Sequence, residues 1–322
     1  MSTARIPLIF GTMTMGTQKA RNSDPKECQA ILDVFFNAGH RELDTARVYC
    51  AGTTEELLST LDLRDATIDT KVHPICPGGH EPGALRASFM KCLKALKRDK
   101  VRAFYLHAPD RRVPFTETCA EMDKMYREGL FETFGLSNFP AWEVAEVVGI
   151  CRANGWVQPT IYQVMYNAIT RAMEPELVPC CRKLGLRIVT YNPLAGGFFA
   201  GKITSTTAET VTAGSRFDPA THLGSMYRER YLNEGYVEAL AYLKGVAAKH
   251  ELTLIEIALR WMQHHSQLGP GDGVILGASS AAQLAENCAA SAKGPLPEDV
   301  VAALDDAHRI VLKHGGEPAY WR

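Results

Sequence analysis

The sequence predicts an α/β protein folded as a (β/α)8 TIM barrel, with a long loop after the seventh strand and a C-terminal helix and tail. Three observations predict it. Eight short apolar runs recur along the chain, and each is followed by a helix-like pattern. Alternation of that kind implies right-handed βαβ crossovers and a parallel sheet, and eight units in roughly 290 residues match the size of a closed barrel. The open, doubly wound alternative calls for a glycine fingerprint after its first strand, and "GTMTMG" has the wrong spacing. No break in composition marks a boundary, so residues 1–322 are expected to form one domain.

The elements follow in order. "IPLIFGTM" is the first apolar run. Asp24, Pro25 and Glu27 then read as N-cap, first turn and capping box of a helix that carries Ile31, Val34, Phe35 and Ala38 on one face and closes at Gly39. "RELDTA" is the second strand, and Thr53 with Glu56 should cap the second helix. "ATIDTKV" precedes a helix over about 83–97, and "VRAFYLHA" one over about 116–128. "FETFGLSN" leads to a helix from Pro140, and "TIYQVMYN" to one near 175–184. After "LRIVTYNP", residues from Leu194 to about Gly235 are rich in Gly, Ser and Thr with little periodicity, as lids and binding loops often are. "TLIEIALRWMQHH" is a helix with a Thr253/Glu256 capping box. "DGVILGAS" is the eighth strand, followed by helices from about 281 and over about 297–310. Tyr320, Trp321 and Arg322 in the tail suggest docking rather than free disorder.

Bulk properties narrow the function classes. A net charge of −1 argues against nucleic acid or an anionic membrane surface as partner. No apolar run reaches the 18 or so residues of a membrane span, and the start shows neither a secretory nor a transit segment. Nine cysteines without a C-x-x-C spacing read as small buried residues in a reducing cytoplasm, not as a disulfide framework or zinc site. His264 and His265 point about 100° apart on a helix and make a poor metal pair. "PGGHEPG" lacks the G-K-[ST] of a P-loop, and Arg111 and Arg112 read as solvated loop charges.

In a barrel the carboxyl ends of the strands form the active face. Those ends carry Asp44 with Tyr49 just beyond, Lys71, His107, Ser137 with Asn138, Gln163, Tyr191 with Asn192, and the run Gly277, Ala278, Ser279, Ser280. Taken singly, each has an ordinary structural explanation. Together, Asp44, Tyr49, Lys71 and His107 suit protonation of a carbonyl oxygen as a nucleophile reaches its carbon. A free phenol, of pKa about 10, is a poor acid near neutrality. A neighbouring lysine ammonium is expected to lower that value by about 1–3, with Asp44 as its counter-charge and His107 orienting the carbonyl.

These segments resemble the aldo-keto reductases. "LDTARVY", "DTKV" and "YLHAPD" are similar to the family's Asp–Tyr, lysine and histidine segments, and "GLSNF", "YQVMYN" and "YNPLAGG" to its nicotinamide-contacting strand ends. "YNPLAGGFFAGK", "ALRWMQHHSQL" and "VILGASSAAQLAEN" look like the aflatoxin-aldehyde and succinic-semialdehyde reductase subgroup. The resemblance implies an NADP-dependent reductase that turns aldehydes and some ketones into alcohols. It makes Tyr49 the general acid, tuned by Asp44 and Lys71, with His107 placing the carbonyl. It puts Ser137, Asn138 and Gln163 on the carboxamide of NADPH, and Tyr191 against the nicotinamide ring. Asn192, Pro193, Leu194, Gly196 and Lys202 would follow the pyrophosphate, and Ser279, Ser280, Gln283 and Asn287 the adenosine end. Gly277, Ala278 and Gln283 stand where many members have a Lys-Ser pair and an Arg for the 2′-phosphate, and Arg216 in "GSRFD" matches the subgroup's substitute. Met13, Tyr227, Arg230 and Arg322 match pocket positions, and two arginines favour aldehydes with a distal carboxylate. A small-molecule carbonyl substrate and a homodimer are implied in the same way, and no metal is expected because the sequence lacks a clustered ligand set. The competing readings are an NADPH-binding sensor with little turnover, and a metallohydrolase using Asp44 and His107 as ligands.

Overall fold

A computed structural model of the chain describes residues 4–207, 215–220 and 222–322. Eight strands alternate with helices: β1 Leu8–Gly11, α1 Pro25–Asn37, β2 Glu42–Asp44, α2 Thr53–Leu58, β3 Thr67–Val72, α3 Pro82–Leu96, β4 Val101–Leu106, α4 Phe115–Arg127, β5 Phe131–Ser137, α5 Ala141–Asn154, β6 Pro159–Met165, α6 Leu177–Leu184 and β7 Arg187–Tyr191. Then come α7 His222–Tyr231, α8 Glu234–Lys249, α9 Leu254–His264, β8 Gly273–Leu276, α10 Ala281–Ser291 and α11 Glu298–Lys313. All neighbouring strands are parallel, and β8 pairs with β1, so the sheet closes into the expected barrel.

Side-chain alternation along the strands separates two cores. Phe104 and Leu106 of β4 join the large cluster between sheet and helices, whereas Ala103 and Tyr105 face inward with Ile9, Ile161, Val189 and Ile275. On β3, Ile68 and Val72 belong to the outer cluster. The intervening Asp69 and Lys71 therefore fall on the strand's other face, charged yet at most 1 % exposed. At the amino end Arg102 and Arg187 neutralise Asp69 and Glu42: Arg102 pairs with both acids, and Arg187 Nη1 lies 2.9 Å from Glu42.

Local signals behave as expected at several helix ends. Asp24 accepts from the Lys26 amide, Gly39 follows α1 with φ 91°, and Thr253 accepts from the Glu256 amide. Three expectations need correction. Thr53 does not cap α2, because its hydroxyl oxygen accepts instead from the amides of Thr17 and Gln18 in the β1 loop. The stretch from Leu194 to Gly235 is not irregular throughout, since it contains a short 3-10 segment at Ala195–Ala200 and the helix α7. Residues 208–214 and 221 of that stretch lie outside the described residues. The third correction is α8, an unforeseen helix that packs on α11 and buries Tyr236, Ala239, Leu240 and Leu243. The tail is docked: the Tyr320 hydroxyl accepts from the Ala141 amide, and the Arg322 amide donates to the Asn138 carbonyl. Among the described residues no helix is long and apolar enough to cross a membrane.

Candidate active site

Strand register assembles the site. Asp44 ends β2, and the chain beyond it stays paired to β3 through Thr45 N to Asp69 O at 2.9 Å and Arg47 N to Lys71 O at 3.0 Å. Lys71 is therefore carried beside the Asp44–Tyr49 connection. It sits opposite Tyr105 of β4, and Ser137 of β5 sits opposite Gln163 of β6. Lys71 has no exposed surface, and its ammonium donates to Asp44 Oδ1 and Oδ2 at 2.6 and 2.8 Å and to Thr45 O at 2.8 Å. Gln163 Nε2 adds a fourth contact, to Asp44 Oδ1 at 2.7 Å. The ammonium lies 5.2 Å from the centroid of the half-buried Tyr49 ring, and that ring meets His107 edge-on at 6.1 Å. The four predicted residues thus form one group at the carboxyl end of the barrel.

The electrostatics differ from expectation. Tyr49 is held well above the ordinary phenol pKa, first by burial and then by the Asp44 carboxylate, with Arg216 opposing. A lone ammonium about 5 Å away would favour the phenolate by about 3 kcal/mol at an effective dielectric near 20. Asp44 holds that same ammonium at 2.6 Å, so the phenol faces an ion pair instead of a cation, and burial prevails. The Tyr49 hydroxyl makes no hydrogen bond among the described residues, and its raised pKa favours the protonated phenol. His107 is depressed well below the ordinary histidine range, chiefly by burial and next by Lys71, and is neutral. Its Nδ1 is buried without a partner among the described residues. An orphaned acceptor is less costly than an orphaned N–H, which favours the tautomer protonated on Nε2.

Several of the predicted cofactor residues follow the carboxyl ends of β5 to β8 in the chain. Gln163 uses Nε2 on Asp44, while its Oε1 accepts nothing among the described residues. Asn138, left-handed at φ 61°, spends its amide on His107 O and Ser137 Oγ and accepts from the Tyr191 hydroxyl at 2.9 Å. It therefore holds the Tyr191 ring in place and has little donor capacity left over. Asn192 ties β7 to α7 by accepting from Tyr227 at 3.0 Å and donating to Tyr231 at 3.3 Å. Arg216 donates to the Tyr227 hydroxyl at 2.8 Å and lies against β8's end, where a Cβ on Gly277 would stand 3.0 Å from its Nη2. Ser280 caps α10 on the Gln283 amide, and Gln283 Oε1 accepts from Ser279. Pro193 and Asn287 are buried, Leu194 and Gly196 half-buried, and Lys202 exposed. Of the pocket residues, Met13 accepts from Cys50 Sγ beside Tyr49, and Arg230 stands over the Tyr227 ring. Arg322 reaches Met226 of α7.

Sequence reasoning missed several neighbours. Tyr105 stacks its ring under Lys71 at 5.9 Å. His73, driven down to about 4 chiefly by burial and next by His80, packs its ring 5.1 Å from His107. Its place two residues after Lys71 was the available signal, since alternate residues share a strand face. Arg111 is not a free loop charge: it pairs with Glu143 and donates to Arg322 O. Among the described residues no group of three His, Cys, Asp or Glu could hold a metal ion, and Asp44 is already committed to Lys71.

The Aldo/keto reductase family pattern matches residues 7–309. The chain is similar to "Aldo-keto reductase family 7 member A3" of Homo sapiens, 42% identical over 334 residues covering 100% of the chain and 99% of the relative. It is 41% identical over 326 residues to "Aflatoxin B1 aldehyde reductase member 2" of Mus musculus, covering 98% and 87%. "Aldo-keto reductase pigE" of Monascus ruber is 40% identical over 325 residues, covering 95% of each. The chain belongs to the aldo/keto reductase family and is an oxidoreductase.

Proposed function

We propose that this enzyme reduces aldehydes to alcohols with NADPH, and that Tyr49 supplies the proton. One observation carries the reading: a phenol with an unengaged hydroxyl lies against the buried Lys71–Asp44 pair, beside a neutral His107, at the carboxyl ends of the strands. The donor set fits the cofactor. Gln163 Oε1 can accept from the carboxamide, Tyr191 offers a ring face, and Arg216 stands beside Gly277, just ahead of α10, a guanidinium suited to a 2′-phosphate. Bound NADPH supplies the hydride.

His107 donates from Nε2 to the carbonyl oxygen and fixes its direction. Tyr49 keeps its proton until negative charge develops on that oxygen, then releases it; a forming alkoxide is basic enough to take a proton from a phenol of raised pKa. Lys71 meets the resulting phenolate charge while remaining fastened to Asp44. Arg230 and Arg322 favour aldehydes with a distal carboxylate, such as succinic semialdehyde. The test is oxidation of NADPH by 4-nitrobenzaldehyde and succinic semialdehyde, repeated with Tyr49→Phe. Turnover should fall by at least the roughly 10²–10⁴-fold typical of a lost general acid, with folding stability within about 0.5 kcal/mol because the hydroxyl has no partner to lose. Normal turnover in the variant would remove Tyr49 from the role.

A further inference from the structure

Glu55 is a fully buried carboxylate that the proposed chemistry does not use. It lies in the first turn of α2, and both its oxygens are engaged. Oε2 accepts from Arg47 Nη1 at 2.6 Å, and Oε1 accepts from the Thr70 hydroxyl at 2.6 Å. Arg47 also donates from Nη2 to the Gly52 carbonyl at 2.8 Å, and its backbone amide donates to Lys71 O at 3.0 Å. The contacts close a ring. It passes through Lys71 and the residue before it on β3, then through the chain on either side of Tyr49.

The backbone inside that ring is strained. Cys50, Ala51 and Gly52, directly after Tyr49, are all left-handed, with φ of 48°, 56° and 89°. Residues with a Cβ avoid that region, and such a turn persists only where its surroundings over-determine it. At Gly52 a Cβ would stand 2.0 Å from Arg47 Nη2, so the guanidinium packs directly on this turn. A hydrogen-bonded network anchored on a buried carboxylate favours one arrangement of the turn.

We propose that Arg47, Glu55 and Thr70 are positioning residues for the reaction: their ring of hydrogen bonds holds the strained turn that sets the Tyr49 phenol against Lys71. They touch neither substrate nor cofactor. The inference rests on Tyr49 being the proton donor, so Tyr49→Phe is assayed beside Arg47→Met, Arg47→Lys, Glu55→Gln and Thr70→Val. Displacing a catalytic group by about 1 Å costs on the order of 10²-fold in rate. Arg47→Met and Glu55→Gln should lower kcat by about 10–100-fold, with aldehyde KM and NADPH Kd within about twofold. The solvent deuterium isotope effect on kcat should rise, as proton transfer becomes limiting. Arg47→Lys should restore part of the rate, and Thr70→Val, which leaves the ion pair intact, should show a smaller fall with KM unchanged. Should Arg47→Met fail to fold, Glu55→Gln and Thr70→Val decide the matter. Wild-type kcat and isotope effect in these two, with Tyr49→Phe inactive, would overturn the positioning role alone. Losses in kcat that track the unfolded fraction, with an unchanged isotope effect, would also overturn it. Normal turnover by Tyr49→Phe would instead overturn the proton-donor reading.

Discussion

Replacing Lys71 by Met keeps most of the side chain's volume and deletes its charge. The ammonium is wholly enclosed and spends its protons on Asp44 Oδ1 and Oδ2 and on Thr45 O, at 2.6, 2.8 and 2.8 Å. Asp44, itself 3 % exposed, would keep only Gln163 Nε2 at 2.7 Å among the described residues. Breaking a buried ion pair by removing one partner costs about 3–5 kcal/mol. The surviving amide contact softens the loss, so about 3 kcal/mol is expected for Lys71→Met. At roughly 2 °C per kcal/mol for a chain of this size, the Tm should fall by about 6 °C. Asp44→Leu should cost a similar amount. The double variant Lys71→Met/Asp44→Leu removes both charges together, so it should be about 3 kcal/mol more stable than the sum of the single changes. Thermal unfolding by circular dichroism reads these values, and NADPH oxidation should be lost in all three variants. Additive losses would refute the view that the two charges depend on one another, and full activity in Lys71→Met would refute the lysine's part in proton transfer.

Two further predictions concern the ends of the barrel and the cofactor. Burial raises Asp69 to about 6, against opposition from Arg102. The native protein then binds this proton more tightly than the unfolded chain, whose carboxyl titrates near 3.9. The contribution of Asp69 to stability therefore grows as pH falls from about 6 towards 4 and is lost as pH rises through about 6. Relative to Asp69→Asn, the wild type should gain roughly 2 kcal/mol between pH 8 and pH 4 in urea titrations, and a pH-independent difference would contradict the burial argument. Arg216→Ala should weaken NADPH binding by about 10–100-fold, the equivalent of a charge-assisted hydrogen bond of about 1.5–3 kcal/mol, and leave NADH nearly unchanged. Equal losses for both cofactors in fluorescence titration would assign Arg216 to the Tyr227 contact alone.

The barrel and its polar rim were legible because they depend on local pattern. Each strand carries its own apolar run, and Asp44, Lys71, His107 and Gln163 fall near the strands' carboxyl ends, where parallel closure must gather them. What escaped depends on distant partners. Thr53 has the spacing of a cap, but its hydroxyl oxygen accepts from Thr17 and Gln18, in the loop after the neighbouring strand β1. In α8, Gly235 and Gly245 interrupt a pattern otherwise carried by Tyr236, Leu240 and Leu243, and the burying surface is α11, far along the chain. The Asp44 counter-charge was legible from residue types, but the direction of the phenol's shift was not: the fold adds Thr45 O as a third acceptor for Lys71, so the ammonium is wholly spent and burial of Tyr49 prevails. Arg47 and Glu55 carry no motif of their own, and their contact within the β2–β3 connection emerges only from the fold.

A crystal structure of the protein with NADP⁺ tests the central claim most directly. The account predicts the nicotinamide ring against Tyr191, Arg216 within hydrogen-bond reach of the 2′-phosphate, and the Tyr49 hydroxyl facing the C4 side of the ring. A cofactor lodged elsewhere, or a Tyr49 hydroxyl turned away from that carbon, would contradict it.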